Sequence, residues 1–234
     1  SKAFSDHWET LGGIMVTRTT YEDSAGYSNN IRQALLLQAS EDRAKRITRL
    51  TSEKVEFSSP RRRKDVDMVF LLARPQQARS IKPLLDYHYA GDLPIYGTSR
   101  LYTGYTDTRK DRDIEGIRFT DMPWVLNTPT ALHRQINAEI EQSKQYQRMY
   151  ALGIDSYQLH PRLRQLREIP DSRVFGFTGT LKLNNRQEIE RRMLFAKINK
   201  STAKVIPTAA ITIDLDRPKE GIYVEGQASE REKY

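Results

Sequence analysis

Ligands in open α/β sheets sit just beyond the carboxyl ends of the strands. In this chain the residues at those positions are Ala73 and Arg74, Ser99 to Tyr102, and Asp121 to Trp124. Arg74 and Arg100 would place positive charge there, while Ser99, Tyr102 and Trp124 could supply hydrogen bonds and a stacking surface. That set can bind, and it has no obvious means of transforming what it binds. The plainer reading is that all five are ordinary loop residues that fix the fold. The motifs that would support catalysis are missing from the sequence: no GxGxxG following a strand, no phosphate-binding GxxxxGKS or GxxxxGKT, no GxSxG and no HExxH. The four histidines, His7, His88, His133 and His160, fall on separate elements with no adjacent carboxylate pattern. Asp107, Asp111, Asp113 and Glu115 invite a calcium reading. They lack the DxDxDG core, and Arg109, Lys110 and Arg112 interleave charge that repels a cation, so they read as a self-neutralising surface loop. The chain therefore reads as non-enzymatic, with no metal and no cofactor.

The elements that would position those residues centre on Asp65 to Arg100. Val66 to Ala73 is a nearly unbroken apolar run, which suits a central parallel strand covered on both faces. Pro75 fits the first turn of a helix whose inward face is Ala78, Ile81, Leu85 and His88, and Gly91 is expected to end it in a left-handed conformation. Leu93 to Ser99 returns as the second strand of a βαβ unit, and Gly116 to Asp121 is a further strand. Met122-Pro123-Trp124 then ends that strand.

Upstream, Phe4, Trp8 and Leu11 share one helical face that ends at Gly12-Gly13. Ile14 to Tyr21 reads as a strand, and Asn29 or Asn30 caps the next helix. A fresh helix start near Ser40 is expected to turn Ala44, Ile47 and Leu50 inward. The cluster Arg61 to Lys64 reads as a solvated loop or, alternatively, an anion-binding patch. Downstream, Thr128-Pro129 opens a helix with a Leu132, Ile136, Ile140 stripe. Tyr146, Met149, Tyr150, Ile154 and Tyr157 form an aromatic-rich face expected to be packed. Val174 to Leu183, Arg192 to Ile198 and Ala203 to Ile206 read as an antiparallel set, followed by a charged end in which Ile211 to Leu215 is strand-like. The chain divides into 1–126, a βαβ sheet; 127–172, a helical segment; 173–207, closing strands; and 208–234, a charged tail expected to be mobile.

A formal charge of +8 over 234 residues and a pI near 9.6 favour anionic partners without choosing among nucleic acid, acidic lipid and cell-wall polymer. The absence of cysteine excludes thiol chemistry, cysteine metal sites and disulfides, and leaves the compartment open. No apolar run approaches membrane-spanning length, and there is no signal peptide at the N-terminus.

The stretch PRRRKDVDMVFLLARPQQARSIKPLLDYHYAGDLPIYGTSRLYTG, followed by DRDIEGIRFTDMPWVL, resembles the LppC/LpoA family of outer-membrane lipoproteins, the penicillin-binding-protein activators of Gram-negative bacteria. The likeness runs from about Phe4 to about Pro207. It implies an α/β fold of the type I periplasmic-binding-protein kind, with two Rossmann-like lobes and mostly parallel sheets, here lacking most of the first lobe. It also implies a non-catalytic regulator on the periplasmic side of the outer membrane that binds a class A penicillin-binding protein and stimulates its transpeptidase. Peptidoglycan is a second partner to consider, nucleic acid is not expected, and membrane contact would come only through a lipid anchor outside this chain. A solute-binding receptor of the same fold, using the Arg74/Arg100 cleft, is the rival reading. A transcription-factor effector domain is the weakest, since no helix-turn-helix is present. The opening helix leads to the expectation that the chain is a piece of a larger domain, with Ile14 to Tyr21 beside an absent strand.

Overall fold

A computed structural model describes residues 2–21, 24–51, 60–139, 143–169 and 171–207. Residues 208–234, including the strand expected at Ile211 to Leu215, and Ile140 lie outside the described residues.

The chain is built around a five-stranded sheet made of β1 (Val69–Leu71), β2 (Ile95–Gly97), β3 (Arg118–Asp121), β7 (Leu194–Asn199) and β8 (Thr202–Val205), in that spatial order. β1, β2 and β3 are parallel, with Val69 opposite Ile95 and Gly97 opposite Phe119. β7 joins β3 antiparallel, with Phe119 opposite Ala196, and β8 closes as a hairpin through Lys200 and Ser201, both at positive φ. Between β3 and β7 the chain forms a separate antiparallel sheet of β4 (Val174–Phe175), β5 (Thr180–Leu183) and β6 (Ile189–Arg192). The strands read from sequence as one antiparallel set are thus shared between two sheets. The run from Arg192 to Ile198 breaks near Met193, because β6 and β7 serve different partners.

β1 leads into α4 (Pro75–Leu85), which buries Ala78, Ile81 and Leu85 as its spacing dictates. Pro75 sits where its missing N–H costs nothing, and the Arg74 amide donates to the Gln77 side chain at 2.8 Å. His88 follows on the same face, 4% exposed, within 2.8 Å of the Ser28 hydroxyl. The helix does not end where expected: Gly91 has φ −67°, and the left-handed residue is Tyr89 at φ 63°. Glycine at 91 serves close approach instead, since a Cβ there would meet the Asp86 carboxylate at 3.1 Å.

α2 (Tyr27–Ala34) begins two residues ahead of the expected asparagine caps and is separated from α3 (Leu37–Thr51) at Leu36, which adopts φ 56°. The break therefore precedes Ser40, which is buried inside α3 and accepts the Arg61 amide. Leu35 and Leu37 enter the core, whereas Ile47 and Leu50 are exposed, so the inward face expected for this helix was misplaced. The kink rotates α3 and spends its two buried leucines at the break.

The main core gathers Leu71, Ile81, Leu85, Ile95, Leu101, Ile114, Ile117, Phe119, Ala196 and Ile198 with Ile31, Leu35 and Leu37. Burying each large side chain of this kind contributes roughly 1.5–3 kcal/mol. On the opposite face of the sheet, α1 (Lys2–Thr10) stacks Phe4 on Phe70 at 3.6 Å. α1 ends at Gly12, φ 85°, and Gly13 lies against the Trp8 ring. The segment 14–21 enters no ladder among the described residues, where a strand was expected.

Candidate functional site

Beyond the carboxyl ends of β2 and β3 runs α7 (Ser143–Leu159), and three of its polar residues are driven into the structure at helical spacing. Gln147 and Asp155 are buried along with Ala151 between them, a 147, 151, 155 stripe. Arg148 lies beside that stripe, its side chain 28% exposed.

Arg148 reaches the sheet. Its Nε donates to Asp121 Oδ1 at 3.0 Å and its Nη2 to Asp121 Oδ2 at 2.5 Å, while Nη2 also donates to the Ser99 carbonyl at 3.2 Å and the Tyr102 carbonyl at 3.0 Å. Asp121, the last residue of β3, is fully buried and additionally accepts the Met122 amide at 2.8 Å. A two-pronged guanidinium–carboxylate pair of this geometry is among the stronger charged hydrogen bonds. Gln147 donates to the Gly104 carbonyl at 3.0 Å, anchoring the loop beyond Tyr102.

About two turns further on, Asp155 accepts the amides of Phe177 and Thr178, each at 2.7 Å, and the Thr178 hydroxyl at 2.5 Å. Gly176 permits this, because a Cβ there would meet the Asp155 carboxylate at 2.5 Å. The same bend meets α5 (Pro123–Leu126), where the Trp124 amide donates to the Phe177 carbonyl at 3.0 Å. The Trp124 indole is sandwiched between His133 of α6 (Ala131–Glu139), stacked at 4.1 Å, and the edge-on ring of Phe177 at 5.2 Å. Burial pushes the His133 pKa down. α7 thereby ties the end of β3 in the main sheet to the bend between β4 and β5 in the smaller one.

Of the five residues singled out from sequence, Ser99 and Tyr102 meet at Arg148 through their carbonyls, and Trp124 follows the Asp121 that Arg148 holds. Tyr102 is 4% and Trp124 3% exposed, so both are packed groups. Burial raises the Tyr102 phenol pKa, and its ring lies 5.3 Å from Phe119. Arg74 and Arg100 are exposed.

The acidic loop also departs from expectation. Asp111 is fully buried, accepting Arg79 of α4 at 2.8 Å and the Asp107 amide at 2.8 Å, so it is a strut holding α4 to the loop and no surface charge. In the basic cluster Arg62 pairs with Asp92 and Arg63 with Asp65. Two helical stripes were read with the wrong face inward. α6 buries His133, with Leu132 39% exposed, and Thr130, not Thr128, accepts the amide at its start. α7 leaves Tyr146, Met149 and Tyr157 exposed. Arg148 and Asp155 were missed because the reading followed apolar spacing alone; the polar stripe has the same period.

The architecture is thus an α/β module with a mixed main sheet, whose loops at the strand ends are drawn onto one crossing helix. Comparison with known proteins defines its class. The chain resembles a solved "putative branched-chain amino acid ABC transporter" from Chromobacterium violaceum at 28% identity and TM-score 0.53, over 84% of this chain and 53% of that one, which places it among periplasmic-binding-protein-like folds. The C-domain of LpoA from Haemophilus influenzae, described as a regulator of PBP1A, superposes with TM-score 0.62 at 21% identity, over 88% of this chain and 56% of that one.

The family described as "LppC putative lipoprotein" matches residues 1–200, and the chain belongs to it. Among its curated relatives is the penicillin-binding protein activator LpoA of Edwardsiella ictaluri, 27% identical over 213 residues, covering 86% of this chain. The chain spans about a third (31%) of that relative's length.

Proposed function

We propose that this chain is a non-catalytic module of an outer-membrane lipoprotein, facing the periplasm, that binds a class A penicillin-binding protein and stimulates its transpeptidase. The observation that carries the reading is Arg148. In a solute receptor of this fold the carboxyl ends of the strands are open to a ligand; here the chain's own guanidinium spans Asp121, Ser99 and Tyr102. A module in which the Ser99 and Tyr102 carbonyls are taken up by its own arginine acts through its outer surface, and family membership names activators of a synthase as its relatives.

The test is a titration of the full-length protein against a class A synthase, run beside a thermal-shift screen of amino acids and muropeptides. Saturable binding to the synthase with a flat screen is expected. A solute held at 100 times its Kd would add about 2.7 kcal/mol of stability. Such a shift, with no synthase binding, would return the solute-receptor reading and the Arg74/Arg100 cleft.

A further inference from the structure

The two faces of the main sheet are packed unequally. Ile95, Ile117, Phe119, Ala196 and Ile198 are buried in the core with residues of α2 and α4. Side chains alternate along a strand, so Tyr96, Arg118, Thr120, Phe195 and Lys197 lie on the other face. There α1 covers β1, through Phe4 on Phe70. Across β2, β3 and β7 all five residues of that face stay partly exposed, and Lys204 of β8 is exposed.

The register draws the charged members into one row. Tyr96 lies opposite Arg118, Arg118 opposite Lys197, and Lys197 opposite Lys204. With neighbouring strands roughly 4.8 Å apart, the three cations span about 10 Å. Like charges directly opposite one another on a sheet cost stability, and this row sets them so twice. Among the described residues no carboxylate forms an ion pair with Arg118, Lys197 or Lys204. The other residues on this face of the same strands, Thr120, Phe195, Asn199 and Thr202, bring no acid either. Arg118 rests instead over the Tyr96 ring, 5.5 Å from its centre, and Tyr96 stacks on Phe195 at 6.2 Å. The result is a sheet face that is aromatic on one side and carries uncompensated positive charge on the other.

A patch of that composition marks an interaction surface and selects its occupant by charge. A second copy of the chain fits it poorly, because a two-fold contact would set the cations against themselves. A bare anionic headgroup would use the cations and leave the aromatic pair idle. A protein segment that carries carboxylates beside an apolar side chain uses both. We propose that this face docks an acidic segment of the synthase, with its carboxylates over Arg118, Lys197 and Lys204 and an apolar side chain over Tyr96 and Phe195. The inference deepens the function proposed above and rests on it.

Lys197→Glu separates docking from folding. It places a carboxylate between Arg118 and Lys204, so the folded chain exchanges two repulsive pairs for two attractive ones while the docking row loses its middle cation. Lys204→Glu, at an exposed position, provides a second variant that does not depend on the fit of residue 197. Arg46→Glu on the exposed side of α3 changes the net charge equally and serves as the control. The full-length wild type and the three variants are unfolded in urea, and each is titrated against a class A synthase, isolated peptidoglycan sacculi and vesicles containing phosphatidylglycerol. The proposal expects both lysine variants to bind the synthase at least tenfold more weakly, the control to stay within twofold of the wild type, and the urea midpoint of Lys197→Glu to equal or exceed the wild-type value. Wild-type affinity in both lysine variants would overturn the docking face and leave the proposed function standing. An equal loss in the control would also overturn it, since net charge would then be the cause. So would weakened binding to sacculi or vesicles with synthase binding intact, which would give the face to a wall polymer or a lipid. A wild type that binds no synthase would overturn the docking face and the proposed function together.

Discussion

Replacing Arg148 with methionine removes the charge and keeps most of the aliphatic stem. Asp121, fully buried at the end of β3, would retain only the Met122 amide, and the Ser99 and Tyr102 carbonyls would lose their shared donor. Stripping one partner from a buried ion pair costs about 3–5 kcal/mol, and the lower end applies because the guanidinium is more than a quarter exposed. A loss of about 3 kcal/mol corresponds to a fall in Tm of about 6–12 °C for a domain of this size. Adding Asp121→Asn should recover part of the loss, since the amide oxygen can still accept from Met122 while no charge is left stranded. Urea unfolding of the wild type, both single variants and the double variant closes a thermodynamic cycle. A coupling below about 0.5 kcal/mol would refute the view that Arg148 holds the strand ends together.

Asp155→Ala should unfold earlier by about 3 kcal/mol, read as a lower urea midpoint, because it strands the Phe177 and Thr178 amides and the Thr178 hydroxyl. Gly97→Ala should destabilise by about 1–3 kcal/mol, since its Cβ would lie 2.1 Å from Leu101 Cδ2 and 3.0 Å from the Leu71 carbonyl; a neutral effect in the same assay would mean Leu101 has room to move. Burial lowers the pKa of both His88 and His133 below the ordinary 6.5, with nearby Arg32 adding to the effect on His88. Their neutral forms are favoured in the folded protein, so their contribution is present above about pH 6.5 and is lost as pH falls toward the folded values. The urea midpoint should drop between pH 7 and pH 5, and His88→Gln should flatten that drop; an unchanged slope would remove His88 from the account.

The parts of the fold that could be read in the sequence are those where apolar spacing decides. Ala78, Ile81, Leu85 and His88 turned inward as their period required, and Leu71, Ile95 and Phe119 lie on parallel strands. Spacing failed where polar groups carry the packing. On α7 the aromatic stripe was taken for the buried face, yet Gln147, Arg148 and Asp155 find backbone partners that water would otherwise supply, and Tyr157 remains 84% exposed. Nothing in local sequence announces that Asp121 and Arg148, 27 residues apart, will pair. The kink at Leu36 was likewise hidden, because a leucine at φ 56° has no sequence signature and arises from the pull of Leu35 and Leu37 into one core. Of the five candidate residues, Ser99 and Tyr102 lend their carbonyls to an arginine on a helix from a later part of the chain, Trp124 is buried, and Arg74 and Arg100 are exposed.

The central claim is that the module works by contact with a synthase. The direct measurement is cross-linked peptidoglycan formed from lipid-linked precursor by a class A penicillin-binding protein, with and without the full-length protein carrying this chain. The account predicts a higher fraction of cross-linked product with the protein present and no product from the protein alone. An unchanged fraction at concentrations that saturate any binding, or product formed without the synthase, would contradict it.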